Sequence, residues 1–205
     1  MKFQGEKPLP PRKAQVPART HVVVVAGYVD LGTQPGFKAD EPAKQRLSLI
    51  FEFPSVLVTT RDERRMPAWL FQDYSATMGS AKKPSNLRKV FEAALNVALD
   101  ANSEYDPRDL VGRALQVKVT HDLTDTGSEW ERVGDALALP EGFAAPALKA
   151  APLIFDLRDE QGELVEPPER LGEWRIKKIK QSIEWSGPKA ASVARPGDSA
   201  DDTPF

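Results

Sequence analysis

One helix pattern interrupts a series of strand patterns, and this order is the feature that most limits the possible fold. The helix pattern covers residues 87–99, where apolar side chains recur every three or four positions on one face. The Ser85 hydroxyl can cap the first turn, although Arg88 stands where a capping box would place an acid. Three strand patterns precede this helix and two follow it, at residues 21–29, 46–53, 68–75, 113–121 and 130–137.

Alternation along the second and third strand patterns assigns side chains to faces. Residues 46–53 read RLSLIFEF, so the four residues at 47, 49, 51 and 53 predict a core face and Arg46 points outward. The third strand carries Trp69 and Phe71 on one face and Tyr74 on the other. Because side chains alternate, only one of these two sets can face the same core.

The predicted fold is mainly β. Three strands, a helix and two further strands are the order of an OB fold, a five-stranded Greek-key barrel with a helix between strands 3 and 4. A helix with one apolar stripe suits the end of such a barrel. Another small α+β domain with the same order is the alternative. A basic C-terminal helix over residues 171–185 could add phosphate contacts or cover the barrel with its charges outward, and covering is the favoured role. Residues 153–157 are a further strand candidate.

The two ends of the chain differ from its middle. Residues 1–19 combine four prolines with several lysines and arginines, which predicts a flexible N-terminal arm. Residues 20–185 contain the folding patterns and are the expected domain, including a C-terminal extension. Residues 186–205 lack hydrophobic periodicity and are rich in Pro, Ser, Ala, Gly and Asp, which predicts a disordered acidic tail.

Composition argues against several classes of site. The 205 residues include no cysteine and two histidines, so disulfides, thiolate metal sites and histidine clusters are not expected. No phosphate-binding or dinucleotide glycine motif is present. His121 and Asp122 are adjacent on a strand, where they would point to opposite faces rather than form a catalytic pair. We therefore expect neither an enzyme nor a cofactor. Without a membrane-length apolar run or a signal-peptide core, a cytoplasmic protein is expected.

The C-terminus is acidic and its last residue is aromatic. A partner pocket can take the terminal ring while a cation binds the terminal carboxylate, and the preceding proline lowers the ordering cost. This tip resembles that of bacterial single-stranded-DNA-binding proteins, whose tails end in aspartates, a small residue, Pro and Phe. The resemblance implies recruitment of replication, recombination and repair proteins through four residues: Asp201, Asp202, Pro204 and Phe205.

Two internal motifs resemble a group of bacteriophage proteins assigned to single-stranded-DNA binding or replication. They are DLGTQ at residues 30–34 and RLSLIFEF at residues 46–53, and the resemblance spans much of residues 20–185. It implies the cytoplasm of a bacterial host as the place of action. The Gln/Gly-rich linker of the bacterial proteins is missing, so a homo-oligomer stays open but their tetramer is not implied.

Binding a single strand without sequence preference requires aromatic faces for bases and cations for phosphates. In OB folds the site is the face of strands 2 and 3 with the loops between strands 1–2 and 4–5. Phe37 is the favoured ring, since it lies in a Pro/Gly loop without an obvious packing reason. The expected DNA contacts are Phe37, Lys38, Lys44, Arg46, Arg64, Arg65, Trp69, Tyr74, Lys82, Lys83 and Arg88.

Net charge does not itself indicate nucleic acid, because the chain totals −2. Two alternatives therefore stay open beside single-stranded DNA. One is a structural or assembly protein of a virus built on a β-barrel, which would leave the acidic Phe tip unexplained. The other is an OB protein that binds duplex DNA or RNA.

Overall fold

A computed structural model describes residues 13–36, 40–60, 63–100, 104–125 and 127–187. Its strands are β1 (Thr20–Gln34), β2 (Lys44–Thr59), β3 (Arg65–Ser75), β4 (Ala114–Leu123), β5 (Glu129–Leu137) and β6 (Leu153–Phe155). Its α-helices are α1 (Asn86–Leu95), α2 (Glu173–Lys180) and α3 (Ile183–Ser186), with short 3-10 helices at Pro107–Leu110 and Glu169–Leu171. Within these ranges, no helix combines the length and the apolar character required to cross a membrane.

Five antiparallel strands follow the order β3-β2-β1-β4-β5, and β6 adds to β1 in parallel. One edge of β1 pairs with β2 over residues 24–34, and the other pairs with β4 over 20–24 and with β6 over 27–29. The end strands β3 and β5 approach each other, and the Val133 N–H donates to Gln72 Oε1 at 3.1 Å. The mainly β class is confirmed, whereas the sheet is not closed into the predicted five-stranded barrel.

The central strand β1 is longer than its pattern predicted, and it contains two irregularities in its pairing with β2. Its register with β2 shifts after Val25 and again after Asp30, as β-bulges allow. At the first shift, Gly27 has φ of 151° and lies against β6. A Cβ atom there would come within 1.9 Å of the Leu153 carbonyl oxygen, so glycine alone allows this close approach.

The first hydrophobic cluster lies between the sheet and α1. The predicted core face of β2 is confirmed, because all four of its apolar side chains are buried in this cluster. The Ser85 hydroxyl caps α1 by accepting from the Arg88 N–H at 3.0 Å. The helix ends before residue 99, since Asn96 adopts a left-handed conformation with φ of 53°. The buried residues that α1 contributes are Leu87, Val90, Phe91 and Ala93.

A second cluster covers the opposite face of the sheet. It joins β1 and β2 to β6, to the 3-10 turn at 169–171 and to α2, with Trp185 of α3 packed against it. The predicted helix over 171–185 is divided at Ser182, whose hydroxyl caps α3. The buried members are Ala26, Val29, Leu31, Ile50, Leu153, Phe155, Leu157, Leu171 and Ile179. This sheet is therefore covered by apolar side chains on both faces.

Part of the predicted N-terminal arm is packed against the fold. Val16 is fully buried in the first cluster. The Gln15 N–H donates to Glu131 Oε1 at 2.5 Å, and the His121 ring bonds the Val16 carbonyl at 2.7 Å. Residues 15 and 16 thus contact β4 and β5, so the predicted arm boundary at residue 19 is corrected. Residues 1–12, and the predicted tail from 188 onward, lie outside the described residues.

A buried carboxylate fastens the segment after β5 onto the outer face of β2. Glu52 is fully buried, and its oxygens accept from the Lys149 N–H at 2.8 Å and from the Ala150 N–H at 3.2 Å. The indole N–H of Trp69 donates to the same carboxylate at 3.1 Å. Three donors thereby offset the cost of burying this acid.

Glu52→Gln should lower the free energy of unfolding by roughly 1–3 kcal/mol, because an amide cannot accept at both ends and leaves a buried N–H unpaired. Urea denaturation followed by tryptophan fluorescence measures the change. Glu160→Gln, at an exposed turn, is the control and should stay within about 0.5 kcal/mol of the parent. Equal stability of both variants would contradict the role given to Glu52.

Candidate nucleic-acid interface

Two of the predicted contacts stand at the start of β2, beside the first loop. Lys44 is exposed and its Nζ lies 2.6 Å from Glu41 Oε1. Arg46 is half-buried and pairs across the ladder with Gly32 of β1. Phe37 and Lys38 of the same loop lie outside the described residues. The described part of this loop therefore offers one exposed cation that is already paired and one partly covered cation.

The remaining basic predictions separate into two places. Arg64 and Arg65 are exposed at the far end of the β2–β3 hairpin. Arg65 is ten positions before Ser75, the ladder partner of Arg46, so about 33 Å of strand separates the two sites. Lys82 and Lys83 are exposed in the loop after β3, at the Arg46 end. One surface thus does not include all of the predicted cations.

Two predicted contact residues are buried in the fold and are removed from the interface. Tyr74 is 6% exposed and belongs to the first cluster, where burial raises the pKa of its hydroxyl. Arg88 is 2% exposed; its Nε donates to Glu92 Oε1 at 2.8 Å and its Nη2 bonds the Leu99 carbonyl. Neither side chain has the free surface that DNA contact requires. The i, i+4 spacing of Arg88 and Glu92 was the sequence signal for this pair.

The face of β3 on which stacking was predicted is covered by the C-terminal segment. Trp69 and Phe71 are half-buried and pack against the second cluster. The guanidinium of Arg175 lies 3.3 Å from the centroid of the Phe71 ring. Desolvation lowers the pKa of Arg175 to about 10, against the opposing effect of Asp73, so this cation stays charged at neutral pH. Phe71 therefore helps to attach α2 to the sheet, and Trp69 is part of the covered face.

Helices α2 and α3 are also bonded to the base of the first loop. The Gln34 side chain donates to the Lys178 carbonyl at 3.1 Å, and the Lys178 amine pairs with Asp73 of β3. Glu184 of α3 accepts from the Thr33 N–H at 2.8 Å and from the Thr33 hydroxyl at 2.5 Å. Since Gln34 pairs with Lys44, these bonds place α2 beside the residues at the two ends of the first loop. We call this junction the loop–helix surface and define it as Gln34, Lys44, Trp174, Arg175, Lys177 and Lys178.

One cavity among the described residues is lined by more acidic than basic side chains. It has a volume of about 710 Å³ and lies between β1, the start of β2, α1 and residues 104–107. Burial raises the pKa of Asp30, and the Tyr28 hydroxyl donates to Asp156 at 2.5 Å. Its four acidic residues outnumber Arg46, the one basic residue of the lining, so this cavity does not favour phosphate. The described ranges also contain no group of three acidic or histidine side chains suited to a metal ion.

Arg88→Ala should lower the free energy of unfolding by roughly 1.5–3 kcal/mol, since it removes charge-assisted bonds and leaves the Leu99 carbonyl without its donor. Lys89→Ala changes the exposed neighbour on the same helix and should cost less than about 0.5 kcal/mol. Chemical denaturation at pH 7 compares them. If both variants lose equally little free energy of unfolding, the contacts of the buried Arg88 side chain have no structural role.

Lowering the pH should reduce the loss of free energy of unfolding that Arg88→Ala causes relative to Lys89→Ala. The hydrogen bond from Arg88 lowers the pKa of Glu92, so the stabilisation is present above the ordinary glutamate pKa. It is lost as the pH falls through the lowered value in the folded state.

Comparison with known proteins assigns this chain to no family. No protein-family model matches the chain, and no curated protein matches it either. Its function is therefore argued from its residues and their contacts.

Proposed function

We propose that this chain binds single-stranded DNA without strong sequence preference, through an OB-type sheet. The strand order β3-β2-β1-β4-β5 is the observation that carries this proposal. In an OB fold the same path closes by pairing its third strand with its fifth, and a helix lies between the third and fourth. Here β3 and β5 already touch, and α1 occupies the corresponding position.

The distribution of cations at one end of the sheet supports this reading. Lys82 and Lys83 are exposed after β3, and the loop–helix surface lies beside the start of β2. Helix α2 adds four cations against one acid, Glu173. Exposed lysines at the loops of an OB-type sheet can contact phosphates. Phosphate contacts dominate binding without sequence preference. The proposed role is binding without catalysis, in the cytoplasm of a cell or of a phage-infected host.

Oligo-dT should bind at low salt, and the logarithm of its affinity should fall linearly with the logarithm of salt concentration, by about 0.7 per phosphate contacted. Fluorescence anisotropy of labelled dT oligonucleotides of increasing length measures affinity and footprint. Duplex DNA and oligo-rU of equal length are the comparisons. Tighter binding to either would move the proposal to that nucleic acid, and absence of all binding would favour a viral structural role.

We also propose that the acidic tip recruits replication, recombination or repair proteins. The support is chemical: two aspartates for a basic rim and a terminal ring for an apolar pocket. The four tip residues lie outside the described part of the chain.

Deletion of residues 201–205 should leave oligo-dT affinity unchanged or slightly raised and abolish pull-down of replication proteins. Thr203→Ala is the matched control, because it keeps the charges and the terminal ring, and it should retain the pull-down. A large drop in melting temperature on deletion would instead show that the tip is part of the folded structure.

A further inference from the structure

We infer that α2 supplies the base-stacking surface of this protein, with Trp174 as the stacking ring and Lys177 as a phosphate contact. The occupant is single-stranded DNA, so the inference rests on the proposed function and locates its site. The basis is the covered β2–β3 face: its rings are engaged by Glu52 and Arg175 and are unavailable for stacking in the described structure.

Trp174 differs from the other aromatic residues of this layer in its exposure and its neighbours. Its side chain is 43% exposed, whereas Trp69, Phe71 and Trp185 are packed against the second cluster. The Lys178 amine lies 4.7 Å from the Trp174 ring centroid, and the Arg175 guanidinium lies 5.6 Å from it. An exposed apolar residue alone is ordinary. An exposed ring with two cations close to it has the composition of a single-strand binding surface.

The attachment of α2 to the sheet does not depend on the Trp174 ring. Ile179 is fully buried and Ile176 packs beside it in the second cluster. Arg175 stacks on Phe71, and the Lys178 amine pairs with Asp73. These contacts fix the cations next to the indole before any ligand arrives. A preorganised ring loses less entropy when a base stacks on it.

Among the lysines of α2, Lys177 is available for contact with a phosphate, because the other two form ion pairs. Lys180 pairs with Glu166 at 2.5 Å and Lys178 pairs with Asp73. Lys177 is exposed and forms no ion pair with the described residues. It follows Trp174 by three positions, so both side chains lie on the same side of the helix. A base on the indole would therefore place its backbone within reach of this amine.

The bond between Gln34 and α2 joins this helix to the first loop. Gln34 and Lys44 are ladder partners at the base of that loop, and the Gln34 side chain bonds the Lys178 carbonyl at 3.1 Å. A strand that crosses α2 can thus continue toward Lys44 without leaving the loop–helix surface. The first loop is one of the places where OB folds bind their ligands.

Trp174→Ala in the full chain should weaken oligo-dT binding roughly 5- to 150-fold, the loss expected for one base–aromatic stack. Trp174→Phe should restore most of the affinity. Phe143→Ala removes a ring that is 50% exposed outside α2 and should bind like the parent. Tryptophan quenching by oligo-dT should shrink in both Trp174 variants, a change that loss of packing would not produce. Melting temperatures of all variants should remain close to the parent.

Lys177→Gln should reduce the slope of log affinity against log salt by about 0.7, the value for one phosphate contact on a single strand. Lys118→Gln, an exposed cation on β4, should leave the slope unchanged. If Trp174→Ala binds oligo-dT like the parent, the inference about α2 is overturned and the proposed function stands. If the parent protein does not bind oligo-dT at low salt, both are overturned.

Discussion

The buried carboxylate of Glu52 is the interaction on which the outer layer depends. A charged group without access to water is stable only where donors surround it. Here the donors are two consecutive N–H groups at residues 149–150 and the indole of Trp69. The acid on β2 therefore selects which part of the chain after β5 lies on the sheet. From that point the chain adds β6 to β1 and then places α2 and α3 on the same face.

Covering the second face changes where a ligand can bind. A sheet of the proposed OB type would offer the outer side of strands 2 and 3 to a ligand, but in this chain an apolar cluster occupies that side. The cations and the exposed ring lie instead on the helix that covers it. Arg175 connects the two levels, because its guanidinium packs on Phe71 below and lies near Trp174 above.

Hydrophobic alternation and helix capping predicted the elements whose structure depends on residues close in sequence. The two faces of β2 and the start of α1 followed from alternation and from the Ser85 cap. In the outer layer, β6 and α2 lie within segments that were predicted as a strand and a helix. The path of the chain between β5 and β6 was not predicted, because it lacks periodicity and is held by Glu52, a residue far away in sequence. Among the candidate contacts, Lys82 and Lys83 could be predicted as exposed. The burial of Tyr74 and Arg88 depends on tertiary packing, which a strand or helix pattern alone does not specify.

The close approach at Gly27 has a consequence for the whole arrangement. The Leu153 carbonyl occupies the space in which any other residue would carry its first side-chain carbon. Pairing of β6 with β1 thus depends on the absence of a side chain at residue 27. The chain that leads to the proposed stacking ring is held first by the buried charge of Glu52 and then by this close approach of two backbones, and both residues lie inside the fold.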